Sequence, residues 1–179
     1  MKKIIFSIFL ASLLFGFTAK GQEMLLKDPI SNSFFKTSKY SGVKGSPFLY
    51  EKWYLGEVNT PKGVYKNLML KLDMYENILY FQKDDQLLSF ADHVNEFKLQ
   101  TENGIKIFKR GFSGSNLKPE SFVEILLEKK NYLLIKSVIV NISEVNEINS
   151  GIIKTFKHIN RYYLKTPESS EIKHIKLNG

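Results

Sequence analysis

The chain has 179 residues, enough for one domain with a real core and too few to expect two. It is 43% hydrophobic and 25% charged, and its formal charge of +8 is spread along the length rather than gathered into a block of the kind that binds nucleic acid. It has no cysteine, which excludes disulfide staples, thiolate chemistry, cysteine-ligated zinc and a lipid-modified N-terminal cysteine.

Met1-Lys2-Lys3 is a short positive head, and Ile4 to Phe17 is an apolar run of 14 residues. Thr18-Ala19-Lys20-Gly21 follows, with the small residues Ala19 and Gly21 two apart. This is the pattern of a secretory signal peptide, and the run is shorter than the ~20 residues a spanning helix needs. Cleavage is expected after Gly21, leaving Gln22 first. No later stretch is long and apolar enough to cross a membrane as a helix. The expected organisation is a leader at 1–21, an N-terminal extension at 22–44 and a single β domain at 45–179.

From Gly45 to Leu99 apolar and polar residues alternate, with turn residues at short intervals. That marks consecutive half-buried strands folding back on each other. Tyr50 to Val58 is the first predicted strand, with Gly56 marking a bulge or bend. Thr60-Pro61-Lys62-Gly63 turns the chain into Val64 to Tyr75, the clearest strand, which sets Leu68, Leu70, Leu72 and Met74 on one face. Glu76-Asn77 and Asp84-Asp85 are turns flanking Ile78 to Gln82, and Gln86 to Phe90 and Val94 to Leu99 follow. Glu102-Asn103-Gly104 is the strongest hairpin signal and leads into Ile105 to Phe112.

Gly111 to Pro119 is a loop rich in Gly, Ser and Asn. Glu120 to Glu128 and Tyr132 to Val140 are nearly continuous apolar runs, so this hairpin is covered on both faces or sits at the sheet centre. Asn141 to Ser150 is polar and reads as a loop. Ile152 to His158, Asn160 to Lys165 and Glu171 to Leu177 read as short final strands, the first two separated by a turn at His158-Ile159-Asn160. The expectation is an all-β antiparallel meander of about ten strands, forming a barrel or a curved half-barrel.

Gly45-Ser46-Pro47-Phe48-Leu49, Trp53, Gly56-Glu57-Val58, Gly63 to Leu68 and Leu72-Asp73-Met74-Tyr75 make the chain resemble a group of secreted, uncharacterised β-rich proteins of Bacteroidota. Ser121 to Glu128, Leu133-Leu134-Ile135-Lys136, Tyr162-Tyr163-Leu164 and Ile172 to Ile175 are similar to the same group. These motifs are turns, strand aromatics and core positions. The resemblance therefore implies an exported β fold and brings no activity, substrate or catalytic residue. Longer members continue past the equivalent of Lys176-Leu177-Asn178 into a helical tail.

His93, His158 and His174 are the three histidines, and none has metal-ligand spacing. Gly111-Phe112-Ser113-Gly114-Ser115 lacks the spacing and the strand–elbow–helix setting of a serine nucleophile. Asp84-Asp85, Asp73 and Glu76 fall at turns, where carboxylates in water keep ordinary acidities and make poor general acids. No phosphate or calcium loop is present. No metal, no cofactor and no catalysis are expected.

Lys106, Lys109 and Arg110, and Lys154, Lys157 and Arg161, interleave with aromatic residues. They read as solvated strand faces, with a basic surface for polyanions or sugars as the functional alternative. The best binding candidate is the aromatic group Phe48, Tyr50, Trp53 and Tyr54, because Trp and Tyr anchor contacts at low entropy cost; core packing is the alternative. An outer-membrane barrel needs strands of ~9–11 residues with an unbroken apolar band, which Lys71, Asp73, Glu96 and Arg110 interrupt.

The functional expectation is an exported, monomeric, non-catalytic protein of the periplasm or cell surface. It would bind an apolar small ligand or an envelope protein, with no nucleic acid and no membrane span after cleavage. The alternative is a hydrolase acting on envelope glycans through carboxylates brought together by the fold.

Overall fold

A computed structural model describes residues 37–83, 86–147, 151–169 and 171–176. The expected leader with its cleavage point and the Asp84-Asp85 turn lie outside the described residues. A 3₁₀ turn, Thr37–Tyr40, is followed by β1 (Val43–Lys44), β2 (Tyr54–Thr60), β3 (Gly63–Asp73), β4 (Ile78–Lys83), β5 (Gln86–Ser89) and β6 (Glu96–Thr101). Then come β7 (Gly104–Lys109), β8 (Val123–Lys129), β9 (Tyr132–Glu147), β10 (Gly151–Lys165) and β11 (Lys173–Ile175). The fold is all-β, with no α-helix among the described residues.

All strands belong to one sheet, in the order β1-β10-β9-β8-β7-β6-β2-β3-β4-β5, with β11 also on β10. Every pair is antiparallel except β1 with β10, so the sheet is mixed rather than purely antiparallel. The expected meander holds from β2 to β5 and again from β6 to β10. Between them the chain returns across the end of the sheet and starts β6 on the other side of β2. The sheet is open and not a barrel. The outer edge of β10 is taken by β1 and β11, so β5 at the opposite end has no strand to close on.

Alternation along the strands sorts the core. Val58 lies opposite Phe97, which lies opposite Phe108, while Leu70 meets Phe81 and Leu72 meets Leu79. These side chains share one face and are almost fully buried, each contributing about 1.5–3 kcal/mol through removal of apolar surface from water. The Phe97 and Phe108 rings stack at 4.7 Å, and Phe122 meets Phe97 edge-on at 5.0 Å. On the other face Val123, Ile135 and Tyr163 pack beneath Leu117 and Ile172. The β8–β9 hairpin is thus covered on both faces at its base, one of the two arrangements its continuous apolar runs allow.

Two expectations near the C-terminus are corrected. Asn141 to Ser150 is not simply a loop, because β9 runs on through Glu147. His158-Ile159-Asn160 is not a turn but the middle of β10, opposite Val140, Ile139 and Val138. Beyond the buried cluster of Val138, Val140 and Phe156, on which Ile142 packs, the hairpin tip is mostly exposed, so little imposes apolar alternation there. Its strands are specified by backbone pairing with each other, which leaves little trace in residue type.

The sheet is strongly bent. β3 and β10 are six steps apart in strand order, so a flat sheet at about 4.8 Å per strand would separate them by about 29 Å. Yet the ring of Tyr75, just beyond β3, lies 5.5 Å from that of Phe156 on β10. Part of the bend comes from irregular register between Gly56 and Val58 and between Ile125 and Leu127. Gly56 is required by close approach: a Cβ there would lie 2.2 Å from Lys98 O and 2.6 Å from Leu70 Cδ1. Gly56→Ala is therefore expected to cost about 1–3 kcal/mol or more through overpacking, read as a lower midpoint in urea denaturation. A midpoint equal to the parent's would contradict this close approach.

Candidate functional site

Residues 39–49 form a strap that joins the two arms of the bent sheet. Val43 and Lys44 pair with Lys154 and Thr155 on β10. A few residues on, Leu49 N–H donates to Leu72 O at 2.9 Å and Met74 N–H donates to Pro47 O at 2.8 Å, so the same segment pairs with the end of β3. The Tyr40 hydroxyl donates to Asp73 Oδ2 at 2.6 Å, and its ring meets Phe156 and Tyr75 edge-on at 5.3 and 5.9 Å. Lys39 pairs with Glu76 in the β3–β4 turn. His158 Nε2–H donates to Ser46 O at 2.7 Å.

This segment carries the start of the aromatic group, and the structure divides the group two and two. The Lys71 ammonium lies 4.4 Å from the Phe48 ring centroid and 5.7 Å from that of Trp53, and it donates to Glu51 O at 2.6 Å. Phe48 and Trp53 thus hold a cation supplied by the chain itself. Burial lowers the pKa of the Lys71 ammonium below its usual value. Tyr50 and Tyr54 instead pack against the core, ring to ring at 5.3 Å. The Tyr54 hydroxyl donates to Glu102 Oε2 at 2.8 Å, and Lys52 donates to Glu102 Oε1 at 3.0 Å. Burial, then the Glu124 carboxylate, pushes the Tyr50 hydroxyl up to about 12.

The residues that would serve chemistry are dispersed. His158 is bound to the strap carbonyl, His174 packs its ring on Tyr163 at 5.5 Å, and His93 lies in the return between β5 and β6. No three His, Cys, Asp or Glu side chains gather as a metal site among the described residues. The glycan-hydrolase alternative needs two close, partly buried carboxylates in one cleft. The two buried ones have other partners: Asp73 accepts from Tyr40 and from the Glu76 N–H, and Glu124 from Lys106 at 2.5 Å.

The basic groups also divide. Lys106 is paired with Glu124, and Lys109 lies between Glu128 at 2.8 Å and Glu96 at 3.6 Å. Arg110 stacks on Phe122 with its guanidinium carbon 3.7 Å from the ring centroid. Lys154 pairs with Glu144 at 3.0 Å across the hairpin. Lys157 and Arg161 point to the opposite face of β10 from Lys154 by alternation, and Lys44 on β1, opposite Thr155, joins them there. None of these three is in an ion pair among the described residues.

On that face Lys157 lies opposite Asn141 and Arg161 opposite Ser137, with the pair Ile139–Ile159 between them and Val145–Ile153 beyond. β8 pairs with β9 only over Tyr132 to Lys136, so from Ser137 onward no described strand lies beside β9 on the side away from β10. Sequence reading missed this surface because it placed a turn and a loop where the strands continue. The available signal was the mirror placement of Ile139 with Ile159 and Val145 with Ile153 about a single hairpin. Comparison with known proteins gives no matching family model, no matching curated protein and no matching solved structure.

The strap makes a testable electrostatic prediction. Burial is the main reason the Asp73 carboxyl is raised above its usual range, opposed by the Tyr40 donor. An acid raised in the folded state contributes stability that is fully present below the unfolded value, about 3.9, and lost as pH rises through the folded value. Asp73→Asn removes that titration. The stability of the parent relative to Asp73→Asn is expected to fall as pH climbs through this window in a series of urea melts. A difference independent of pH would refute the assignment. At neutral pH, Tyr40→Phe is expected to cost about 1–3 kcal/mol by leaving a buried acceptor short of its donor.

Proposed function

We propose that this chain is an exported, monomeric, non-catalytic interaction module of the cell envelope. In this reading it is a curved half-barrel that presents the β9–β10 hairpin to an acidic, extended segment of an envelope protein. The observation that carries the reading is the β9 edge beyond Lys136, which no described strand pairs, next to a hairpin face whose Lys157 and Arg161 are in no ion pair among the described residues. An unpaired edge offers a row of backbone donors and acceptors, which an extended peptide fills by adding a strand. Lys157 and Arg161 lie opposite the small polar Asn141 and Ser137 of β9, one strand in from that edge. Ile139 and Ile159 supply apolar contact between the two cations.

The apolar-carrier reading has less support. The inner side of the bend is filled by Leu70, Leu72, Phe81, Phe97 and Leu99, each no more than 2% exposed. The N-terminal pattern of positive head, apolar run and small residues supports export, and the missing cysteine argues against a lipid anchor.

The test is a titration of the leader-free chain with a synthetic alternating Glu–Val peptide and a matched Lys–Val peptide, followed by amide NMR. Saturable binding of the acidic peptide is expected, with shifts concentrated in residues 137–147 and in Lys157 to Arg161. The double variant Lys157→Glu, Arg161→Glu should weaken it about tenfold or more, and added salt should weaken it further. Equal binding of both peptides would overturn the proposal. So would binding to anionic phospholipid vesicles with no peptide response.

A further inference from the structure

Arg110, just beyond β7, is a charged group with an incomplete set of partners. Its main-chain N–H donates to Asn95 O at 3.1 Å, and its Nη2–H donates to Asn77 O at 3.0 Å. The guanidinium lies flat enough on Phe122 to bring its carbon within 3.7 Å of the ring centroid. Nε is buried and has no hydrogen-bond partner. No carboxylate stands within ion-pair distance of it among the described residues. A guanidinium stays protonated in proteins and carries five N–H donors in a planar fork, so one side-chain bond leaves most of its capacity unused. A buried charge in that condition is costly unless something else completes it.

Its surroundings are built by three separated parts of the chain. Asn77, at φ 58 in the β3–β4 turn, takes the left-handed form that glycine usually supplies. Its side chain donates to Glu120 O at 2.7 Å and accepts from Phe122 N–H at 3.1 Å, which fixes the turn against the segment before β8. The return from β5 to β6 forms the remaining wall. Arg110 borders two cavities there, of about 210 and 280 Å³. The smaller is walled by the half-buried Phe90 and the edges of the buried Leu79, Val94 and Phe122, with Asn77 and Ser89 on its polar side. Asp92 also borders it, but its Oδ1 is held by Lys62 at 2.7 Å.

We propose that this cavity is a binding site for a small monocarboxylate with an apolar body, the carboxylate received by the Arg110 fork and the body by Leu79, Phe90, Val94 and Phe122. A carboxylate matches the planar donor pair of a guanidinium. One guanidinium, with the neighbouring Lys62 committed to Asp92, suits a single negative charge better than a phosphate dianion. The site is separate from the β9–β10 hairpin face and does not depend on it.

The test is an NMR titration of the leader-free chain with 3-phenylpropionate and, as the neutral match, 3-phenylpropionamide. The acid is expected to bind saturably and to shift the Arg110 Nε–H and the Phe122 amide, with the hairpin amides unmoved. The amide should bind about tenfold more weakly or worse, having lost the charge-assisted pair. Arg110→Lys, which keeps the charge without the fork, should weaken the acid several-fold, and Arg110→Gln should abolish the response. Equal binding of acid and amide, or no saturable shift at Arg110, would overturn the proposal. Both outcomes are read on the parent chain, so they decide the matter even where a variant fails to fold.

Discussion

An open sheet of eleven strands does not hold a tight bend by its own ladders, because its two ends are free to separate. Here the bend is held by the short run from Lys39 to Leu49, which pairs with β10 and then with the end of β3. At its centre is the bond from the Tyr40 hydroxyl to the buried Asp73 carboxylate, with Phe156 and Tyr75 packed around the ring. The core clusters of β2–β7 and of β9–β10 meet through Leu49 and Met74, which pack against both. Release of the strap would expose the facing apolar surfaces of both arms, so the inner core and the strap stabilise each other.

The return between β5 and β6 has a comparable part at the other end of the core. It carries Val94 into the interior, lays Phe90 against Phe81 at 4.7 Å and pairs Asn95 with Asn59. By crossing the sheet it places β6 beside β2 and brings Asn95 next to Arg110. The meander interruption and the Arg110 cavity are therefore one event in the topology. A sheet wound strand after strand would not have set these groups together.

Charge is distributed unevenly over this frame. On β6, β7 and β8 the lysines meet glutamates across strands, as in the Lys106–Glu124 and Lys109–Glu128 pairs. Exposed pairs such as Lys109–Glu128 add little to stability, a few tenths to about 1 kcal/mol each, whereas Lys106 neutralises the buried Glu124. Their consequence is electrostatic: Lys44, Lys157 and Arg161 on one face and the half-buried Arg110 are among the cations that no such pair neutralises. The neutralised strand faces of β6, β7 and β8 thus contrast with these cations, toward which a partner of opposite charge would be drawn.

Much of the fold was legible in the sequence, for identifiable reasons. Leu68, Leu70 and Leu72 read as one face because that face is buried, and Gly56 read as an irregularity because only a residue without Cβ fits there. The turns at Glu76-Asn77 and Asn103-Gly104 read correctly because left-handed backbone restricts residue choice to Asn and Gly. Beyond Ile142, which still packs on Val138, Val140 and Phe156, residues 144–146 are exposed, so burial no longer selects them and the strand became invisible to pattern. The division of Phe48 and Trp53 from Tyr50 and Tyr54, the order β6-β2-β3 and the lack of an ion pair to Arg110 among the described residues are decided by contacts between residues far apart in the chain. The sequence by itself determined the period of each strand and the place of each reversal, since these depend on neighbours two to four residues away. Only the tertiary structure decided which strands meet and which charges are left unmatched, because both depend on how the whole sheet bends.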